Sequence, residues 1–168
     1  MSVGAQFNSF GMDAKTLAQA CHTEFNLLQS VRQALRKALR WDVANTGFTQ
    51  KLCSVRFALK SLDRHLQRMM ELEERGGYMA VVGDAKPYLR DKVEALQAEH
   101  DSLRGQFGDL MESFEALPGV VALSSGQQET FVKLCDDLDK MLFRLDQHEA
   151  KETALLQEVL LSDVGGEG

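Results

Sequence analysis

Proline is scarce in this chain of 168 residues, with only two, and runs of strand-forming residues are missing. So few breaks leave room for long helices, and the missing strand runs argue against sheets and barrels. No stretch of about 18 apolar residues occurs, so the sequence predicts no membrane span. Basic charge is not in excess either. The formal net charge is -6, which argues against nucleic acid as a partner, because a phosphate backbone calls for a basic face. The N-terminus has no basic segment followed by an apolar stretch, so no secretion signal is expected and a cytoplasmic location is. The three cysteines, Cys21, Cys53 and Cys135, are an odd number on separate predicted helices. They are expected to be small buried thiols of a reducing compartment and not a disulfide framework. There is no nucleophile with a partnering base, no phosphate-binding loop and no dinucleotide motif, so the chain reads as a binding protein before an enzyme.

What is present is helical. Apolar residues make up 44% and charged residues 26%, and the length suits one domain with a real core. Residues 1–12, with Phe7 and Phe10, read as an irregular lead-in, residues 13–163 as the folded domain and residues 164–168 as a frayed tail. Asp13 is placed to cap a first helix that runs to about Trp41. Asn45-Thr46-Gly47 forms a turn, and Thr46 or Thr49 caps a second helix that stops at Gly76-Gly77. Residues 78–86 make a connection, and Pro87 opens a third helix ending near Leu117-Pro118-Gly119. Ser125 with Gln128 resembles a capping box for a fourth helix that runs to about Asp163. The predicted fold is all-α, an antiparallel up-and-down four-helix bundle.

Helical periodicity at about 100° per residue assigns the inward faces. On the third helix, Leu89, Val93, Leu96, Leu103, Phe107, Leu110 and Phe114 form a stripe, with His100 near its centre. On the second, Glu73 falls at the centre of the stripe from Phe48 to Met70, and Glu74 does not. On the fourth, Phe131, Leu138, Leu145, Leu156 and Val159 mark a stripe that takes in Glu149 and Glu152, with His148 at its flank. On the first, Glu24 lies inside the stripe of Leu17, Cys21, Phe25 and Leu28, and His22 lies well away from its centre. His65 sits at the flank of the second helix, and Arg36, Lys37 and Arg40 read as a solvated face. A carboxylate within an apolar stripe must be neutral, paired or bound to a cation. The four histidines fall one to a helix with glutamates nearby, and a bundle core can hold metal with such side chains.

The residues also carry a resemblance. The fourth helix contains His148-Glu149-Ala150-Lys151-Glu152, the third contains Glu99-His100-Asp101-Ser102-Leu103, and the second ends Leu72-Glu73-Glu74-Arg75-Gly76-Gly77-Tyr78-Met79. This ordered set resembles the bacterial hemerythrin-like (HHE cation-binding) domain family, whose signature is His-x-x-x-Glu on two helices. The resemblance spans residues 14–163. It implies a bundle around a non-haem di-iron centre that binds or senses oxygen or redox state, or handles iron. Glu73 and Glu152 would bridge the metals, His100 and His148 would be terminal ligands, and His22 would be the ligand from the first helix, with His65 as a further candidate. Iron is the implied metal, with manganese or zinc as other occupants. Molecular oxygen or another small diatomic molecule is the implied partner, and a homodimer or a protein partner is left open. The chain departs from the pattern at Met69, where the second-helix motif has histidine, and at Arg104, where some members have a further histidine. Two alternatives stand beside this reading: a metal-free regulatory or structural bundle, and a di-iron oxidase or peroxidase.

Overall fold

The computed structural model describes residues 14–43, 47–119 and 121–164. Four long helices build it: α1 (Ala14–Arg40), α2 (Phe48–Arg75), α4 (Arg90–Glu115) and α5 (Ser125–Val164). A short helix, α3 (Tyr78–Ala85), and a 3-10 turn at Pro87–Leu89 lie between α2 and α4. The long helices pack as antiparallel neighbours, α1 on α2, α2 on α4, α4 on α5 and, most loosely, α5 on α1. The expected helix ends hold to within about three residues, with Pro87 opening the 3-10 turn that leads into α4. The connection at 78–86 is the exception, because it is mostly helical. The lead-in at 1–12, the capping role of Asp13, Thr46, and residues 165–168 of the tail lie outside the described residues.

Several ends are closed by side chains other than those expected. The capping box of α5 sits one residue earlier than the sequence suggested: Ser124 N–H donates to Gln127 Oε1 at 2.9 Å, and Gln127 N–H donates to Ser124 Oγ at 3.4 Å. Gly47 is the N-cap of α2, with no side-chain cap, and the Thr49 hydroxyl instead donates to Val121 O at 3.3 Å. At the C-terminus of α1, Lys51 Nζ donates to Leu39 O and Trp41 O, both at 2.7 Å. Carbonyls left over at a helix end are satisfied there by a cation.

The buried face of each long helix follows steps of three and four residues, a 3.5-residue repeat that keeps a seam facing its neighbours over many turns. On α5 that seam runs through Leu138, Met141, Leu145, His148, Glu152 and Leu155. On α4 it runs through Leu89, Val93, Leu96, His100, Leu103 and Phe107. A straight 100° projection drifts from such a seam by about 20° per heptad. The drift explains two errors in the facing read from the sequence: His148 is buried on the seam and not at its flank, and Leu155 is buried while Leu156 is 38% exposed.

The apolar core is in two parts. The larger includes Leu28, Leu59, Leu66, Met70, Leu103, Phe107 and Leu145. The smaller includes Met79, Val82, Leu89, Val93, Leu96 and Leu155. Along α4, His100 lies between Leu96 of one and Leu103 of the other, and along α5, His148 and Glu152 lie between Leu145 and Leu155. A polar layer therefore separates the two apolar clusters.

Candidate metal centre

The polar layer brings four expected site residues together. Glu73 comes from the last turn of α2, His100 from α4, and His148 with Glu152 from successive turns of α5. His100 is 0% exposed and His148 4%. The Glu152 side chain is 12% exposed and that of Glu73 8%. His148 Nε2 lies 3.3 Å from Glu152 Oε1, and His100 Nε2 lies 3.4 Å from the same atom and 3.6 Å from Glu73 Oε2. Ligand atoms of His100, His148 and Glu152 all fall within 4.8 Å of one another.

Each imidazole is held from behind by a carboxylate. His100 Nδ1 lies 2.7 Å from Glu74 Oε1, and His148 Nδ1 lies 2.9 Å from Glu99 Oε2. Burial raises Glu74, but Arg104 and His100 outweigh it and its carboxyl lies below the usual range. Burial likewise raises Glu99, and Lys151 and His148 outweigh it with the same result. An ionised carboxylate only accepts, so each Nδ1 carries a proton and donates it. Both Nε2 atoms then face the layer, and neither has a hydrogen-bond partner although both are buried. This is the arrangement by which outer carboxylates orient imidazole ligands toward a metal.

The carboxylates within the layer are unequal. Burial and the charge of Glu152 push Glu73 far above the usual carboxylate range. Burial would raise Glu152 too, but His100 and His148 outweigh it and hold its carboxyl low. Tyr78, the first residue of α3, donates its hydroxyl to Glu152 Oε1 at 2.8 Å, and burial with that charge raises the phenol. For His148, burial lowers the imidazole but Glu152 and Glu99 outweigh it, so its pKa is raised.

The donor set fits a cation. Ligands about 2.1 Å from one tetrahedral metal stand about 3.4 Å apart; Glu152 Oε1 lies 3.3 Å from His148 Nε2 and 3.4 Å from His100 Nε2, and all three ligand atoms fall within 4.8 Å of one another. Two buried ring nitrogens without hydrogen-bond partners and one carboxylate are donor atoms of the types such an ion takes once the rings are neutral.

Other expected residues go elsewhere. His22 is exposed, with its Nε2 3.1 Å from Asn26 Nδ2, and is not brought to the layer. His65 Nδ1 pairs with Glu24 Oε2 at 2.9 Å, which also accounts for the glutamate within the α1 stripe. Glu149 is taken by Arg32, which is 2% exposed and also donates to Asp146 at 2.9 Å. Arg36 joins that cluster through Asp146 and is half-buried, while Lys37 and Arg40 are exposed as expected. Cys53 is exposed and Cys21 and Cys135 are half-buried, so none of the three is the fully buried thiol expected. Sequence reasoning passed over Arg32, the orienting roles of Glu74 and Glu99, and the hydroxyl of Tyr78. Glu74 and Glu99 stand directly beside Glu73 and His100 in the chain, and that adjacency was the available signal.

A cavity of about 260 Å³ adjoins the layer, with Glu73, Tyr78, His100, His148 and Glu152 at one end. Its other walls include Cys21 and Leu28 of α1, Leu66, Met69 and Met70 of α2, and Leu145 of α5.

Set against known proteins, the chain matches no family model, no curated protein and no solved structure. Among the described residues, no helix is long and apolar enough to cross a membrane.

Proposed function

We propose that the protein binds one divalent transition metal through His100, His148 and Glu152, and exposes it to a small ligand such as molecular oxygen. The observation that carries this reading is the pair of buried Nε2 atoms without partners, each with its Nδ1 fixed by a carboxylate. A structural metal site is closed on all sides, while a site that takes a ligand keeps a position open. Here the cavity supplies the open side. Two imidazoles and a carboxylate with open positions suit iron, with manganese and zinc as further occupants.

The order of ligands along the second, third and fourth long helices supports a hemerythrin-like reading. His22 and His65 are turned to other partners and Met69 stands in the cavity wall, which leaves donors for one ion and not two. A metal bound here supplies Lewis acidity and, as iron, one-electron redox capacity. The chain's own residues orient it: Glu74 and Glu99 fix the ring tautomers, and Tyr78 holds one oxygen of Glu152.

A metal-free polar layer is the competing reading, favoured by a raised Glu73 that can keep its proton beside Glu152. Elemental mass spectrometry on protein purified without chelator separates the two. About one metal per chain is expected in the wild type, lost in His148→Ala with Glu152→Ala while circular dichroism stays helical. Two irons per chain would restore a dinuclear centre, and a folded, metal-free wild type would sink the proposal.

A further inference from the structure

We propose that the cavity beside His100, His148 and Glu152 binds a small neutral organic molecule, with an apolar body the size of one ring and a single hydroxyl at its polar end. The inference deepens the metal reading by naming a second ligand of the same site, and it rests on that reading only for what the hydroxyl meets when metal is bound.

Volume sets the size of this ligand. A cavity of about 260 Å³ far exceeds the share of one water, about 30 Å³, and is more than a diatomic ligand needs. An apolar cavity of about 150 Å³ already accepts benzene, while pockets for drug-sized molecules begin at about 300 Å³. One ring with a short substituent is the match.

The walls set its chemistry. Leu28, Leu66, Met70 and Leu145 are buried apolar side chains, and the methionines can adjust to a ring placed against them. At the polar end most groups are already engaged with one another. The Tyr78 hydroxyl is committed to Glu152, and both Nδ1 atoms are committed to carboxylates. The two buried Nε2 atoms have no hydrogen-bond partner, which leaves room for one hydroxyl and not for a highly polar ligand. Glu149 and Glu152 also line the cavity, so an anionic ligand would meet like charge.

Access follows from exposure. Phe25 on α1 and Leu156 on α5 both line the cavity, yet are 41% and 38% exposed. The cavity therefore reaches the surface in the seam between α1 and α5, and Thr153, exposed and part of the lining, stands at that mouth.

The test titrates benzyl alcohol into the full chain as purified, with metal content recorded on the same sample and amide shifts followed by nuclear magnetic resonance. Saturable shifts confined to the cavity residues are expected. Thr153→Phe, which plugs the mouth without touching a candidate ligand, is expected to weaken binding by about tenfold or more at unchanged metal content. Cys21→Leu fills the cavity from the α1 side and stands in if the first variant folds poorly. Absence of saturable shifts in the wild type, or unchanged affinity in both variants, overturns the proposal. Metal without benzyl alcohol binding leaves the metal reading standing and removes this one, and benzyl alcohol binding without metal does the reverse.

Discussion

Glu74 and Glu99 supply no ligand atom to the polar layer, yet each holds one imidazole in the orientation that exposes its Nε2. Outer carboxylates of this kind typically contribute about 10–100-fold to metal affinity. Glu99→Ala is the cleaner variant, since the second cation that Glu99 holds, Lys151, is 58% exposed, while the Arg104 held by Glu74 is 27% exposed. Its metal affinity, read by competition with a chromogenic chelator, is expected to fall within that range with the fold intact. The cysteines offer a second prediction. Burial pushes the Cys135 thiol up to about 11. The folded state therefore favours the protonated thiol, so that contribution to stability is complete below the ordinary value of 9.0 and is lost as pH rises toward 11. Only the thiolate is a nucleophile. Iodoacetamide at pH 8 should thus label exposed Cys53 well before Cys135, and equal rates by mass spectrometry would refute the burial argument.

Two glycines in α4 and one at the end of α2 behave oppositely for steric reasons. A Cβ at Gly105 or Gly108 would meet nothing within 4 Å. Alanine at either position should stabilise the protein by about 1 kcal/mol, the helix-propensity difference. A Cβ at Gly77 would lie 2.6 Å from Leu72 O and 2.7 Å from Glu73 Cα, both backbone atoms that cannot swing aside. Gly77→Ala must shift the end of α2 that carries Glu73 or the start of α3 that carries Tyr78. It is expected to cost about 1–3 kcal/mol, as overpacking does. Urea denaturation ranks the three, and a Gly77→Ala as stable as the wild type would show that this turn has slack. Element length matters too. The 40 residues of α5 span about 60 Å, against about 40 Å for the 26 to 28 residues of the other long helices. Its last turns run beside the α3–α4 connection, held by Lys86 to Ser162 and Lys92 to Glu158.

At the scale of the whole molecule, the core is divided by a layer rich in carboxylates and imidazoles. Burying such groups without a compensating ion is unfavourable, so metal binding and folding should be coupled. A metal at 100 times its Kd adds about 2.7 kcal/mol to the folded state, which is about 5–10 °C in Tm for a chain of this size. Differential scanning calorimetry of chelator-treated protein with and without ferrous or zinc ion checks this, and a Tm indifferent to both ions would count against a cation in the layer. His148→Ala with Glu152→Ala should abolish the shift.

Local chemistry carried much of this structure. Few prolines, glycine stops at Gly76-Gly77 and apolar residues at helical spacing were enough for four helices in antiparallel order. The same spacing singled out His100, Glu73 and Glu152 as polar groups on apolar faces. The phase of a 40-residue helix was not legible at 3.6 residues per turn, because small angular errors accumulate; a 3.5-residue seam would have placed His148 inward and Leu155 in the core. What tertiary structure alone decided is which partner each charged group meets. Glu24 goes to His65, Glu149 to Arg32, and Glu74 and Glu99 to the backs of two imidazoles. Those pairings join residues 26 to 117 positions apart, and a periodicity reports the face of one helix, not the neighbour it meets.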